Sequence, residues 1–447
     1  MLNQSFSADN FRTILDLENR KGIYLEGRFF PNLKEITEEI KQCNVEIREK
    51  KKHRVKNEAE LKELYEKKEQ LKKTKEEQLT NELQKVSEKV LARSFEIELK
   101  QIKIPNAKPI YTISDTPENF FAMKQIQHNV SRLYDVKQAD RSAIVSQVKI
   151  LLGDQFPKFV LRTDIEDFYE SIPHETILKK INEDNLLTPF SKKLLRQILG
   201  QYKAKSGTDK GIPRGIGVSA YIAELYMRDI DKKIKDLRDV TYYARYVDDF
   251  VIIFTSSPNN HGRNYINDVK KIIETKYKLT LNKSKTKTFD LRNEKKNFKF
   301  DYLGYKMTFG TQQTKTTLTK KKVDKYKTRM DLAFAAYINL SKVNEKKARK
   351  LLVMRIRFLT RNTRLLNNKK NILVGIYYTN NQLTEQRDLK GMDKYLRYKI
   401  DSLISSPQLQ ERLIKYSFQE GYNKKLFSPF KTKELSEILA IWDKRFP

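Results

Sequence analysis

Three aspartates carry the candidate chemistry of this sequence. Asp248 and Asp249 stand side by side in YARYVDDFVIIF, and Asp164 closes the stretch KFVLRTD eighty-four residues earlier. Adjacent like charges repel, so paired carboxylates cost energy unless a proton or a cation relieves them. Asp is also a common turn residue, and a solvated turn pair is the plain alternative. The third acid shifts the balance. Oxygen donors from two strand ends suit hard divalent cations. Mg²⁺ keeps several waters and completes its shell with substrate phosphates. Two such ions clamp the attacking and leaving oxygens of an in-line phosphoryl transfer. The expected chemistry is nucleotidyl transfer with two Mg²⁺ ions, Mn²⁺ substituting.

The neighbouring residues predict how these acids are held. Tyr242, Tyr243 and Tyr246 precede the pair and Val251, Ile252 and Ile253 follow it, which reads as strand, turn, strand. Phe159 to Thr163 reads as a short strand that delivers Asp164 to its end, and IEDFYESIPHETIL then turns and opens a helix. Between the acids lies GIPRGIGVSAYIAELYMRDID, Gly211 to Asp231. Its glycines let backbone approach a base or a sugar closely, and Ala220 to Ile230 continues as a helix. It lacks the Gly-Lys-Ser/Thr of a Walker loop.

The rest of the chain supplies context. Its 447 residues suffice for two or three domains, and 90 Lys plus Arg against 57 Asp plus Glu give a net charge of +33. So large a surplus points to a polyanion, most readily nucleic acid. The 23 Tyr and 23 Phe offer stacking surfaces for bases beyond what the core takes. One cysteine, Cys43, excludes an internal disulfide framework and suits a reducing cytosol. Four scattered histidines (His53, His128, His174, His261) cannot build a Cys-type zinc module with it. No apolar run is long enough for a membrane span, and MLNQSFSADNFRTIL lacks a charged-then-apolar leader. A cytoplasmic protein with no membrane partner is expected.

Along the chain, residues 1–35 read as a short N-terminal segment. Residues 36–100 contain no Gly or Pro and place Leu61, Leu64, Leu71, Leu79, Leu83, Val86 and Val90 at helical spacing in a Lys/Glu-rich background. This charged arm is one long helix or a helical hairpin, and its apolar face calls for cover from the body or from a second copy in an oligomer. Pro105 and Pro109 mark a linker. Helices and strands then alternate to about residue 310, and two basic amphipathic helices follow, so the fold class is α+β.

The order of these elements resembles the palm of a reverse transcriptase. DIEDFY resembles that family's first catalytic motif, GIPRG with Ser219 its template and nucleotide loop, and YVDD its catalytic hairpin. LNKSKT, Leu281 to Thr286, resembles the next motif, and DYLGYKM, Asp301 to Met307, the primer-grip hairpin. The resemblance implies a right-hand polymerase: fingers over 101–159 with part at 180–205, palm over 160–310, helical thumb and C-terminal region over 311–447. It implies that Asp164, Asp248 and Asp249 are catalytic metal ligands, joined by the Ile165 carbonyl. Tyr169 falls at the family's gate against a ribose 2′-hydroxyl, with Phe168 the competing core residue. Lys285 falls at the motif lysine near the triphosphate, with Lys283 and Lys287 as rivals. Arg141 matches a triphosphate contact, with a surface arginine as the alternative. Gly215 lies in the nucleotide loop, Arg214 near the template, and Leu303 and Gly304 at the primer grip.

The loop departs from the family's usual Pro-Gln-Gly and Ser-Pro, reading Pro213-Arg214-Gly215 and Ser219-Ala220. In this it resembles bacterial defence-associated and abortive-infection reverse transcriptases. That resemblance implies a bacterial cytoplasmic enzyme using dNTPs, a noncoding RNA template, a DNA or protein primer, and in some members a second reverse transcriptase subunit. MLNQSFSADNF with ENRKG resembles one member of such a two-enzyme system. After the thumb no acidic cluster suited to a ribonuclease H is found. Two other readings stand beside this one: a template-independent or protein-primed DNA nucleotidyl transferase, and an inactive RNA-binding scaffold.

Overall fold

The computed structural model describes residues 2–19, 24–51, 58–104, 108–136, 139–154, 156–255, 263–292, 298–310, 313–365 and 372–442. Pro105, His53, His261 and residues 20–22 of the ENRKG stretch lie outside the described residues. Among those described, no helix is long and apolar enough to cross a membrane. The fold is α+β, and it forms two compact units: Met1–Lys137 with Glu166–Ile230, and Gln138–Ile165 with Asp231–Pro447.

In the first unit the charged arm forms two helices, Lys34–Lys50 and Glu58–Leu91, packed on each other. The longer one also packs on the helices Ala8–Asn19 and Pro117–Leu133. Leu79, Leu83, Val86 and Val90 are buried by these contacts, which cover the apolar stripe on the arm's C-terminal half. Strands β1 (Leu99–Ile102) and β2 (Ile110–Ile113) form an antiparallel pair. The helix Pro189–Ser206 lies against β1, and Gln201 Oε1 accepts from the Leu99 amide at 2.8 Å.

The second unit is built on an antiparallel sheet of β3 (Phe159–Asp164), β4 (Val240–Tyr246), β5 (Asp249–Phe254) and β6 (Lys287–Asp290), in the order β4-β5-β3-β6. Phe250, Val251, Ile252, Ile253 and Phe254 are all buried, so central strand β5 is covered on both faces. A second sheet joins β7 (Phe298–Tyr302), β8 (Tyr305–Phe309) and β9 (Lys315–Leu318). Alternate residues of β8, Tyr305, Met307 and Phe309, are buried with period two. They share one core with Met330 and Phe334 of the helix Lys320–Ser341 and Leu352 and Ile356 of the helix Glu345–Thr360. The expected break at residue 310 falls inside that core.

Candidate active site

Strand register assembles the acids. β3 and β5 pair so that Asp164 lies directly opposite Asp249. β4 and β5 pair through Tyr246 and Asp249, leaving Val247 and Asp248 as a two-residue turn. The Ile165 amide donates to the Asp248 carbonyl at 3.2 Å, which ties the end of β3 to that turn. Asp164, Ile165, Asp248 and Asp249 therefore meet at one end of the sheet.

The turn carries strain. Val247 has φ 62°, while Asp248 is not among the residues with positive φ. That pattern matches a hairpin turn whose first central position normally takes Gly. A β-branched residue there costs about 1–3 kcal/mol and persists only if its surroundings enforce it. Arg245 is the enforcing residue. Its Nη1 donates to the Val247 carbonyl at 2.8 Å, and its Nε and Nη2 each reach Asp231 at 2.8 Å. Tyr243 donates its hydroxyl to the same Asp231 at 2.5 Å.

Two cations meet the acids. Lys285 Nζ donates to Asp164 at 2.8 and 3.0 Å, and Arg162 Nη2 donates to Asp249 Oδ2 at 3.3 Å. The bond to Asp164 raises the Lys285 ammonium above its ordinary value, and the charges of Asp164, Asp248 and Asp249 add to the rise. Burial pushes the Asp249 carboxyl up; Arg162 opposes this, and the charges of Asp164 and Asp248 reinforce it. The three carboxylates thus act on one another electrostatically. Among the described residues no group of three or more His, Cys, Asp and Glu side chains is gathered closely enough to hold a metal ion. Lys285 and Arg162 engage the oxygens of Asp164 and Asp249 instead. The donor set is nevertheless all oxygen and mutually repelling, which fits Mg²⁺.

The local chain explains why Lys285, rather than its neighbours, reaches Asp164. The Asn282 amide nitrogen donates to the Asp164 carbonyl at 2.8 Å, anchoring the LNKSKT loop at the end of β3. Asn282 Oδ1 then accepts from the amides of Ser284 at 3.1 Å and Lys285 at 3.3 Å, a side-chain turn typical of Asn. Lys283, Lys285 and Lys287 are all exposed, so the tie of the loop to Asp164 and not burial sets Lys285 apart.

The primer-grip candidates form the tight turn between β7 and β8. Leu303 and Gly304 have φ 45° and 81°, as a two-residue hairpin with both central residues left-handed requires. Arg141 opens the helix Arg141–Gly153, and its guanidinium donates to the Leu303 carbonyl and, at 3.3 Å, to the Thr379 carbonyl. It also stacks on Tyr305 at 5.1 Å. The residue singled out for a triphosphate is therefore engaged with this turn.

A cavity of about 570 Å³, unforeseen in the sequence, opens beside Asp249 and the Leu303–Gly304 turn. Arg162, Lys320, Lys321, Lys322, Lys325 and Arg329 line it. Among the described residues, none of its four lysines forms an ion pair. Lys322 sits 4.6 Å from the Tyr305 ring centre and donates to the Thr379 carbonyl at 3.3 Å. Burial, with Arg141 and Lys325 nearby, pushes its ammonium down to about 7. Cations gathered at such cost suit an anionic ligand. The signal in the sequence was the run Lys320-Lys321-Lys322 opening a helix.

The remaining candidates lie in the first unit. Tyr169 is half-buried and Phe168 beside it is buried. Gly215 has φ 102°, and a Cβ there would stand 2.6 Å from the Tyr111 carbonyl oxygen, so only glycine fits. The Arg214 guanidinium meets Glu170, with Nη2 donating to Oε2 at 2.8 Å.

Residues 110–307 match the family described as reverse transcriptase (RNA-dependent DNA polymerase). The chain thus contains a nucleotidyltransferase domain of that type. No curated protein sequence matches it. Among solved structures it is similar to the apo telomerase of Candida tropicalis truncated from its C-terminal domain: 16% identity, TM-score 0.36, covering 51% of this chain and 56% of that one. It is also similar to the telomerase of Candida albicans in complex with a TWJ fragment of telomeric RNA: 12% identity, TM-score 0.36, covering 77% and 64%. The chain spans less than two thirds of each.

Proposed function

We propose that the reverse transcriptase domain at residues 110–307 makes this chain an RNA-directed DNA polymerase that adds dNTPs to a primer. The observation that carries the reading is the strand register, which sets Asp164 opposite Asp249 and ties Ile165 to Asp248 within the matched segment. Asp164, Asp248, Asp249 and the Ile165 carbonyl would hold two Mg²⁺ ions, which when bound stabilise charge on the attacking and leaving oxygens. In this reading Lys285 gives a proton to the departing pyrophosphate. Tyr169 bars a ribose 2′-hydroxyl. The Leu303–Gly304 turn and the basic cavity hold primer phosphates.

Within the family we read the chain as a bacterial defence-associated enzyme, on the departures at Arg214 and Ala220. A dedicated noncoding RNA template and a DNA or protein primer follow from that reading. Purification from cells without nuclease, followed by sequencing of bound RNA and of the DNA made from it with Mg²⁺ and dNTPs, tests it. DNA complementary to the bound RNA supports it. DNA without a complement there points to template-independent synthesis.

Phosphate binding in the basic cavity carries a pH signature. Burial holds the Lys322 ammonium at about 7, and the negative charge of an adjacent phosphate raises it, so binding above pH 7 takes up a proton. Affinity for primer–template therefore falls as pH rises above 7, by up to about tenfold per unit. Lys322→Gln flattens this dependence and lowers the salt slope of log K by about one. Fluorescence anisotropy at pH 6 to 8.5 in graded KCl reads both effects.

A further inference from the structure

Arg214 replaces the family's usual glutamine, and its surroundings give it work other than holding a template. Its Nη2 donates to Glu170 Oε2 at 2.8 Å, and its Nε stands 2.6 Å from Oε1 as an ion-pair contact without hydrogen-bond geometry. The guanidinium carbon stands 5.5 Å from the centre of the Tyr169 ring. Phe168 presses on that ring from another side, edge to face at 5.4 Å. The backbone is clamped too: the Ile212 amide donates to the Tyr169 carbonyl at 2.7 Å, and the Gly211 amide to the Ile172 carbonyl at 2.7 Å. The Tyr111 amide closes the other side by donating to the Arg214 carbonyl at 2.6 Å. Lys108 adds a cation 3.4 Å from Glu170 Oε2.

We propose that Arg214 is a specificity-determining positioning residue, whose pair with Glu170 and stacking over Tyr169 fix the ring that excludes a ribose 2′-hydroxyl. This rests on the proposed function, in which Tyr169 is the sugar gate. The physical argument is geometric. The half-buried Tyr169 ring stands on a four-residue helix, Phe168–Ser171. A steric gate discriminates only if the ring cannot swing away. Arg214 supplies a planar cation over one face, and Glu170, next in the chain, fixes where that plane lies. Lysine offers no such plane.

The test measures kcat/KM for a dNTP and the matching rNTP on one RNA template and DNA primer. Wild type, Arg214→Gln, Arg214→Lys, Glu170→Gln and the swap Arg214→Glu with Glu170→Arg are compared, with thermal melts alongside. The dNTP:rNTP ratio falls about tenfold in Arg214→Gln and Glu170→Gln, chiefly through a lower KM for the rNTP, within the range a steric contact commands. The swap regains part of the ratio, and Arg214→Lys does not. Adding Arg214→Gln to Tyr169→Ala changes the ratio no further, because the gate is already gone. An unchanged ratio in an active Arg214→Gln enzyme overturns the inference alone. So does a loss that appears in primer–template affinity instead of sugar choice. A wild type that adds no nucleotide overturns the function reading and this inference together.

Discussion

Replacing Asp248 and Asp249 together with Ala abolishes nucleotide addition and leaves the fold intact. The expected fall in rate follows from the chemistry: metal ions supply several kcal/mol of transition-state stabilisation, and each 1.36 kcal/mol is a factor of ten, so the loss is about a thousandfold or more. The fold survives because both residues stand at or beside a turn, where their charges raise rather than lower the local energy. Burial pushes the Asp249 carboxyl up, and Asp164 and Asp248 push it further. Removing two of three repelling carboxylates relieves that cost, which offsets the loss of the Arg162 contact. The melting temperature should hold within a few degrees and RNA retention should be unchanged. Single-turnover addition of one labelled dNTP, with a melt and an RNA-retention assay on the same preparation, checks all three. Addition near the wild-type rate in the double variant would contradict the assignment of these acids, whereas RNA retention with no addition by the wild type would favour the scaffold reading.

The second large effect lies one residue behind the motif. Arg245→Ala destabilises the protein by about 3–5 kcal/mol, the usual cost of breaking a buried ion pair from one side. Arg245 is 8% exposed and bonds Asp231 through two nitrogens, so its loss leaves an uncompensated carboxylate beside Tyr243. It also removes the donor that holds the Val247 carbonyl, and with it the restraint on a strained turn. Activity should therefore fall more than the unfolded fraction accounts for. Denaturant titration gives the first quantity, and turnover per folded molecule at a temperature well below the transition gives the second. The pair replacement Arg245→Met with Asp231→Leu should recover most of the stability, since no charge is then stranded. It should not recover activity, because Met cannot donate to Val247. Stability loss under about 1 kcal/mol in Arg245→Ala would contradict the assignment of this pair as the brace of the turn.

Much of the palm is legible in the sequence because its determinants are local. Alternating aromatic and β-branched residues on either side of Asp248 and Asp249 specify two strands and a turn within twelve residues. The end of β3 at Asp164 follows from KFVLRTD in the same way. What escapes sequence reading is the pairing of residues far apart. Arg214 and Glu170 are 44 positions apart, and Lys285 and Asp164 are 121 apart. Nothing in the local pattern of either partner selects the other. Arg141 shows the same limit, since its helix start is marked by Asp140, which caps Ser142 and Ala143, while its guanidinium partners lie at Leu303 and Thr379. The positive φ at Val247 is invisible for a different reason: valine is among the least expected residues there, and Arg245 imposes the conformation. The arm divides similarly. Its helicity follows from composition, whereas its cover by the helices Ala8–Asn19 and Pro117–Leu133 does not.

The central claim is that these acids serve RNA-templated DNA synthesis, and template permutation tests it most directly. Four RNA templates differing only in the first unpaired base would be annealed to one DNA primer and offered each dNTP singly with Mg²⁺. The account predicts that the added dNTP follows the template base in all four cases, that the matching rNTP is refused, and that Asp248→Ala with Asp249→Ala adds nothing. Addition of the same nucleotide whatever the template base would contradict it and would identify a template-independent transferase.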